Sequence, residues 1–166
     1  MSEDLQLEAQ AWVQRLILLT DDRRALSELR RSGSDAGRIR ALPWLVSLGA
    51  AGSSHKEEVR RCLCLLFARG VQPASVRFSF AGSWRRYALD QAGAYALDPC
   101  SAFSKRMMWL LDASRPQVTE RLIQMALRMR GDEAIDLVGL YIDLVCWGET
   151  VQIRWGKNYW TQEAQS

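Results

Sequence analysis

The densest group of chemically active side chains lies near the end of the chain, between residues 146 and 160. This segment combines three tryptophans and a tyrosine with Arg154 and Lys157. Aromatic faces beside cationic groups can stack bases and hold phosphates together, without reading a base sequence. The same composition fits a terminal helix packed on a core, because indole is mainly a large hydrophobic group. For Trp155 and Trp160 we favour packing over base stacking.

Cations are concentrated in the middle of the chain. Residues 23–130 hold 19 Lys and Arg and eight Asp and Glu, a net charge of +11, whereas residues 1–22 and 131–166 each carry −4. Of the 22 cationic residues, 19 are arginines. The planar guanidinium suits bidentate phosphate contact, although a codon bias toward arginine would give the same ratio. This distribution indicates a polyanionic partner for the middle of the chain and protein contacts for its ends.

Side chains suited to catalysis or metal binding are sparse. His55 is the single histidine, which largely excludes multi-histidine metal sites and triads with distant partners. Cys62 and Cys64 point about 200° apart on a predicted helix and cannot hold one metal, so we expect the cysteines to be small buried hydrophobic residues. Gly49–Ser54 precedes a helix, but Lys56 stands beyond the helix cap and no strand comes before, so a phosphate loop is disfavoured. We predict no metal, no cofactor and no enzymatic activity.

These side chains must be positioned by helices, and we predict an all-α fold. The chain has 166 residues, of which 48% are hydrophobic, enough for one domain or two small lobes. We place a lobe boundary at Asp98-Pro99, which gives an N-terminal helical lobe over residues 1–97 and a C-terminal one over residues 98–166. No apolar run approaches the roughly 18 residues of a membrane span, and the N-terminus does not resemble a secretory signal. We therefore expect a cytoplasmic protein that does not enter a membrane.

Apolar spacing and capping residues mark the helices. An apolar stripe containing Trp12 predicts a helix over about residues 4–19. Ser54 followed by Glu57 predicts a helix to about Arg69, with Glu57 also able to pair with Arg61. Further helices are expected at about residues 23–31, 84–97, from 101 and from 115, and a central buried helix of the second lobe at 134–147. Residues 76–80 alternate and fit a short strand or an extended loop.

Three local patterns carry a family resemblance. Residues 154–159 read Arg-Trp-Gly-Lys-Asn-Tyr and follow an apolar helix that ends in Trp147. Residues 105–115 contain a basic pair, an apolar run and an Asp-Ala-Ser-Arg turn, and Arg30-Arg31 precede the Leu42-Pro43-Trp44 segment. Together these patterns resemble the CasB family, the small subunit of the type I-E CRISPR surveillance complex Cascade, with Ser114 in place of the family's usual Asp. The residues of the C-terminal motif are Trp147, Arg154, Trp155, Gly156 and Trp160.

The resemblance implies an all-helical, two-lobed protein without catalytic activity, present as a pair beside other Cascade subunits and the guide RNA. Such a subunit holds the single DNA strand displaced by guide pairing and helps keep the R-loop open in antiviral defence. This role needs phosphate contacts but no base readout. The candidate phosphate contacts are Arg30, Arg31, Arg106, Arg115, Arg121, Arg128 and Lys157. The loop carrying Arg77 has no counterpart in the family, so Arg77 and Arg85 receive no role, and Arg86 matches a basic position only loosely.

A second hypothesis uses the same cations differently. The chain could be a helical adaptor whose basic face docks an acidic protein surface, with nucleic acid held elsewhere. Salt and competitor experiments distinguish the two hypotheses. Binding through phosphate contacts weakens steeply as salt is added and is displaced by any polyanionic strand. We expect Arg115 and Arg121 to be exposed in either case.

Overall fold

The computed structural model describes residues 3–75 and 78–161. Within these ranges the chain forms ten α-helices, one 3-10 helix at Gly93–Leu97 and two very short strands. The α-helices are α1 Glu3–Ile17, α2 Arg23–Arg30, α3 Asp35–Arg40, α4 Leu42–Ser47, α5 His55–Ala68, α6 Phe80–Ala92, α7 Ala102–Leu111, α8 Arg115–Ala126, α9 Leu137–Val145 and α10 Glu149–Trp160. The strands are β1 Gln72–Pro73 and β2 Ala134–Ile135. The predicted all-α fold is confirmed.

Side-chain caps fix the starts of α5 and α8. The Ser54 hydroxyl accepts a hydrogen bond from the Glu57 N–H at 3.3 Å and donates to the Glu57 carboxylate at 2.8 Å. A capping box between Ser114 and Gln117 opens α8. Because each box satisfies backbone groups that the first turn leaves unpaired, these short polar signals determine where α5 and α8 begin.

The apolar stripe of α1 is buried as predicted and packs on α9. Trp12 is 2% exposed, and its indole N–H donates to the carbonyl of Leu48 at 2.7 Å. The Trp12 ring lies 5.6 Å from the ring of Tyr141 on α9. The Tyr141 hydroxyl donates in turn to the Glu8 carboxylate at 2.6 Å. The acidic N-terminal helix is thus joined to the C-terminal part of the chain by both packing and hydrogen bonds.

Helix α5 is buried on all sides along its C-terminal half. Every residue from Cys62 to Ala68 is buried, whereas a surface helix buries only one face. Neighbours on several sides account for this, since α5 packs against α2, α8 and α9. One hydrophobic core therefore runs continuously from the segment before residue 97 into the segment after it. The division into lobes at residues 1–97 and 98–166 stays a prediction.

The predicted helix over residues 134–147 is wrong at both ends. Residues 134–135 form β2, which pairs in parallel with β1 through Gln72 and Ala134. Asp136 then caps α9, accepting from the Gly139 N–H at 2.9 Å, and the helix ends at Val145. A strand pairing across some 60 residues of chain leaves no local periodicity in the sequence.

Residues 72–97 also differ from the expectation. The strand lies at residues 72–73, whereas the alternating stretch at residues 76–80 includes Val76 and Arg77, which lie outside the described residues. Ser79 caps α6 through the Gly82 N–H at 3.0 Å, so the helix begins at Phe80. It ends at Ala92, where the 3-10 helix takes over.

The four cysteines are all free and divide into two classes. Cys62 and Cys64 are buried in α5, and burial raises the pKa of both thiols to about 12. Cys100 and Cys146 are exposed, which corrects the expectation that every cysteine is buried. Both lie in the short connections at helix ends, outside the apolar stripes.

Candidate nucleic-acid interface

Helix α8 lies between the two groups of candidate cations. It packs on α5 and α7, and these neighbours contact different sides of its surface. On one side Pro116, Thr119 and Ile123 line an open groove shared with α2, α3 and α5. On another side Arg121 lies against α7. Of the candidate cations, Arg30 and Arg31 therefore lie in the groove and Arg121 lies at the contact with α7.

The groove gathers four arginines. Arg30 and Arg31 were predicted as phosphate contacts, whereas Arg38 and Arg61 were not. Arg30 is exposed and donates through Nε and Nη2 to the carbonyl of Ala68 at 3.2 and 3.1 Å, at the C-terminal end of α5. Arg31 is exposed, and within residues 3–75 and 78–161 its side chain has neither a hydrogen bond nor an ion pair. The groove thus presents one anchored and one unengaged guanidinium from α2 and its C-cap.

The three candidate cations on α7 and α8 differ in exposure. Arg121 donates to the carbonyl of Trp109 at 2.6 Å, and its guanidinium lies 5.0 Å from the centre of the Trp109 ring. This half-buried position corrects the expectation that Arg121 is exposed. Arg106 is also half-buried and lies one helical turn before Trp109 on α7. Arg115 is exposed as expected, and its Nε donates to the carbonyl of Trp147 at 3.1 Å.

The remaining two candidates stand alone. Arg121 and Arg128 are seven residues apart, a spacing that predicts one shared flank on a continuous helix, but α8 ends at Ala126. The N–H groups of Arg128 and Met129 bond three residues back, so this segment is a turn and Arg128 leaves the flank. Arg128 and, on α10, Lys157 are both exposed.

The charges of the candidate cations are not neutralised by carboxylates in the described part of the chain. The ion pairs found there are Arg40–Glu28, Lys56–Glu8, Arg60–Glu8, Arg61–Glu58, Arg130–Asp132 and Arg154–Asp143. None contains any of the seven predicted phosphate contacts. The predicted pair of Glu57 with Arg61 is wrong, because Glu57 turns back to the Ser54 cap and Glu58 lies 3.8 Å from Arg61 instead.

The C-terminal aromatic segment packs into the core. Trp155 is 1% exposed, and its indole N–H donates to Asp143 at 2.8 Å. Arg154 bonds the two oxygens of the same carboxylate at 2.9 and 2.8 Å. The Trp155 ring meets Trp147 edge-on at 5.1 Å, and Trp147, 3% exposed, donates to the carbonyl of Ala113 at 2.8 Å. Both rings are therefore closed to a stacked base.

The rest of the motif holds α10 against α7. Trp160 is half-buried, and its indole N–H donates to the Ser104 hydroxyl at 3.3 Å. A Cβ added at Gly156 would lie 3.5 Å from a methyl carbon of Leu111, an ordinary contact distance. The two helices therefore lie close together at Gly156, with room left for an alanine.

The chain matches the family model described as CRISPR-associated protein Cse2 over residues 25–160. The chain belongs to the CRISPR-associated Cse2 family. Its structure is similar to the crystal structure of CasB from Thermus thermophilus, with 25% identity, a TM-score of 0.67, and coverage of 96% of this chain and 99% of that one. A second crystal structure from the same species, of a CRISPR-associated protein of the Cse2 family, is similar at 26% identity, with a TM-score of 0.69 and the same coverage. Among curated proteins, none matches the sequence significantly.

The predicted resemblance to CasB is confirmed, and the chain is a small subunit of a CRISPR Cascade complex. Within residues 3–75 and 78–161 of this Cse2-family protein, no group of three or more His, Cys, Asp and Glu side chains could hold a metal ion. No helix in those ranges is long and apolar enough to cross a bilayer.

Three further arginines of this Cse2-family protein had little or no predicted role. Arg77 lies outside the described residues. Arg85 donates to the carbonyl of Tyr159, at 2.6 Å, and so fixes the end of α10. Arg86 bonds the Ser83 hydroxyl at 2.9 Å and lies 5.6 Å from the centre of the Phe78 ring.

Sequence reasoning missed Arg38 and Arg61 in the groove and Asp143 beneath the C-terminal motif. Asp143 left a signal, since it is a charged residue inside an otherwise apolar helix and needs a buried partner. Arg38 and Arg61 left none, because only tertiary packing brings α3 beside α5.

Proposed function

We propose that this Cascade small subunit binds the displaced non-target single strand of DNA through its basic surface and thereby stabilises the R-loop. It does so without catalysis of its own, in the cytoplasm, beside a second copy of itself and the other subunits with their guide RNA. The two predicted lobes act together, since the groove is lined by residues from both segments of the chain. Sequence recognition is left to the guide RNA.

One observation carries this proposal. Seven cations were selected from the sequence, and none of them forms an ion pair with a carboxylate in the described residues. Three of them bond only backbone carbonyls: Arg30, Arg115 and Arg121. A carbonyl orients the guanidinium but leaves its full positive charge and its other N–H donors for a phosphate.

The arrangement fits a strand of any sequence. The cations lie on several elements, and Trp147 and Trp155 of the C-terminal motif are buried, so these two rings stack no base and charge supplies contacts along the strand. Phosphates repeat identically along a strand, and their recognition therefore suits a displaced strand whose sequence changes with every target.

The test is fluorescence anisotropy of the purified full-length protein with labelled single-stranded DNA of mixed sequence, titrated with salt. Duplex DNA and an acidic polypeptide serve as competitors. If all seven cations contact phosphates, the slope of log K against log salt is about −5, from about −0.7 per contact. Competition should be stronger with unlabelled single strand than with either of the other polymers.

Two results would contradict the proposal. If the purified protein bound no single-stranded DNA at low salt, its surface would not hold the strand on its own. If only the acidic polypeptide displaced the labelled strand, and log K changed little with log salt, the alternative would be favoured: a helical adaptor that docks an acidic protein partner.

A further inference from the structure

The groove beside α8 has the size of a small-ligand site. It encloses about 590 Å³ between α2, α3, α5 and α8. Small-molecule sites in proteins commonly measure about 300–1,000 Å³, a range that includes the space needed by one nucleotide. The strand-holding role uses only Arg30 and Arg31 of its lining, so most of the groove has no assigned function.

One part of the groove is apolar. Leu65 contributes from α5, and Ile123 and Leu127 contribute from α8 and its C-cap. Leu127 is 50% exposed, a large hydrophobic side chain beside an open cavity. A flat hydrophobic ring placed there would remove this surface from water, and a phosphate would not.

The charged part of the groove has both signs. Three carboxylates, Asp35, Glu58 and Glu120, share it with the four arginines. Four arginines against three carboxylates leave the lining with a net charge of only +1, so the groove as a whole attracts a run of phosphates weakly. A nucleobase is uncharged and carries amino groups for carboxylates and carbonyl groups for guanidiniums, so it fits a lining of mixed sign.

Two of the arginines are fixed inside the groove. Arg38 donates to the carbonyl of Ala51 at 3.3 Å, and Arg61 donates to the carbonyls of Ala50 and Gly52 at 3.0 and 2.9 Å. Burial, and then the nearby charge of Arg38, lower the pKa of Arg61. Two guanidiniums held near each other attract electron-rich groups such as the carbonyl edge of a base.

We propose that this groove takes one unstacked base of the bound single strand, packed on Leu127 and Ile123, while the adjacent phosphate contacts Arg31. This inference rests on the strand-holding function proposed above. It adds that the protein holds the strand partly by a base, independent of sequence, and not by phosphates alone.

The experiment compares two strands of equal length and equal phosphate number, one with normal mixed bases and one with abasic sites at most positions. Each labelled strand is titrated against the wild-type protein, Leu127→Ser and the matched control Ile153→Ser. Ile153 is 53% exposed on α10, away from the groove lining. The three proteins therefore carry the same charge and differ in one exposed apolar side chain.

The wild-type protein should bind the abasic strand about fivefold more weakly than the normal strand, the scale of one lost base contact. Leu127→Ser should weaken binding of the normal strand about threefold and leave binding of the abasic strand unchanged, which measures the coupling between base and side chain. Ile153→Ser should match the wild-type protein with both strands.

Equal binding of both strands by the wild-type protein would overturn the base-in-groove inference and leave the strand-holding proposal intact. The inference would also be overturned if Leu127→Ser weakened binding of the normal and the abasic strand by the same factor. The contribution of the Leu127 side chain would then not depend on the presence of a base. Binding of neither strand at low salt would overturn both proposals.

Discussion

Replacing Arg31 and Arg128 together by glutamine tests the strand-holding proposal most cleanly. Both side chains are exposed, and neither has a hydrogen bond or an ion pair within the described residues. Their removal therefore breaks no contact of the folded protein, and the free energy of unfolding should change by less than about 0.5 kcal/mol. Arg121 is less suitable, because its bond to the Trp109 carbonyl and its contact with the Trp109 ring would be lost as well.

The expected magnitude follows from the number of contacts. With seven phosphate contacts the slope of log K against log salt is about −5, and without two of them it is about −3.5. Between about 50 and 200 mM salt the wild-type protein should then lose affinity about 1,000-fold and the double variant about 130-fold. At the lower salt concentration the double variant should already bind the strand more weakly.

The matched control is the double variant Arg40→Gln and Arg130→Gln. It lowers the net charge by the same amount, but these arginines sit in long ion pairs of 3.9 Å and are outside the predicted contacts. The Arg130–Asp132 pair is exposed on both sides, and such pairs contribute only about 0–1 kcal/mol, whereas loss of Arg40 leaves the half-buried Glu28 carboxylate without its ion-pair partner. Circular dichroism therefore checks first that the control is folded, and the folded control should keep the wild-type salt slope. Equal slopes in the two double variants would refute the reasoning, because binding would then depend on net charge and not on the placed cations.

Three further predictions concern stability and thiol chemistry. Trp12→Ala should cost about 3–5 kcal/mol and lower the melting temperature by about 10 °C or more, read by circular dichroism; an unchanged melting point would contradict its place in the core. The Tyr141 hydroxyl and nearby cations lower the pKa of Glu8, so the stability that Glu8 contributes is present above the unfolded pKa near 4.5 and is lost as the pH falls through the lower folded value. Glu8→Gln should therefore destabilise the protein at pH 7, and its difference from the wild-type protein should shrink as the pH falls below 4.5; a difference in melting temperature that stays constant with pH would oppose this. A thiol reagent should label two cysteines in the native protein and four after denaturation, because Cys62 and Cys64 are buried with raised pKa values; four labelled thiols in the native state would oppose it.

Local signals in the sequence predicted much of the helical framework. The stripe through Trp12, the Ser54 cap and the start of α8 at Arg115 all depend on residues within a few positions of each other. Such patterns can be read without knowing the tertiary structure. The same holds for the burial of Trp155, since an indole in a terminal helix gains most by packing.

Features that depend on distant partners could not be predicted. The pairing of β1 with β2 joins Gln72 to Ala134, and no local periodicity indicates it. Arg121 looked like a solvent-exposed cation on a helix flank, but the packing of α7 places Trp109 beside it. Cys146 belonged by composition to an apolar helix that in fact ends one residue earlier, which leaves the thiol exposed.

The carbonyl contacts of Arg30, Arg115 and Arg121 also bear on the rate at which a bound strand leaves. A long side chain that is free in solution loses about 0.5–1.5 kcal/mol of conformational entropy when a ligand immobilises it. These three guanidiniums are already held by Ala68, Trp147 and Trp109 before any strand arrives, so little of that entropy remains to be lost. Their contacts should therefore lengthen the residence time of the strand, whereas an exposed side chain without a bond, such as Arg31, mainly attracts the strand from a distance and accelerates its capture.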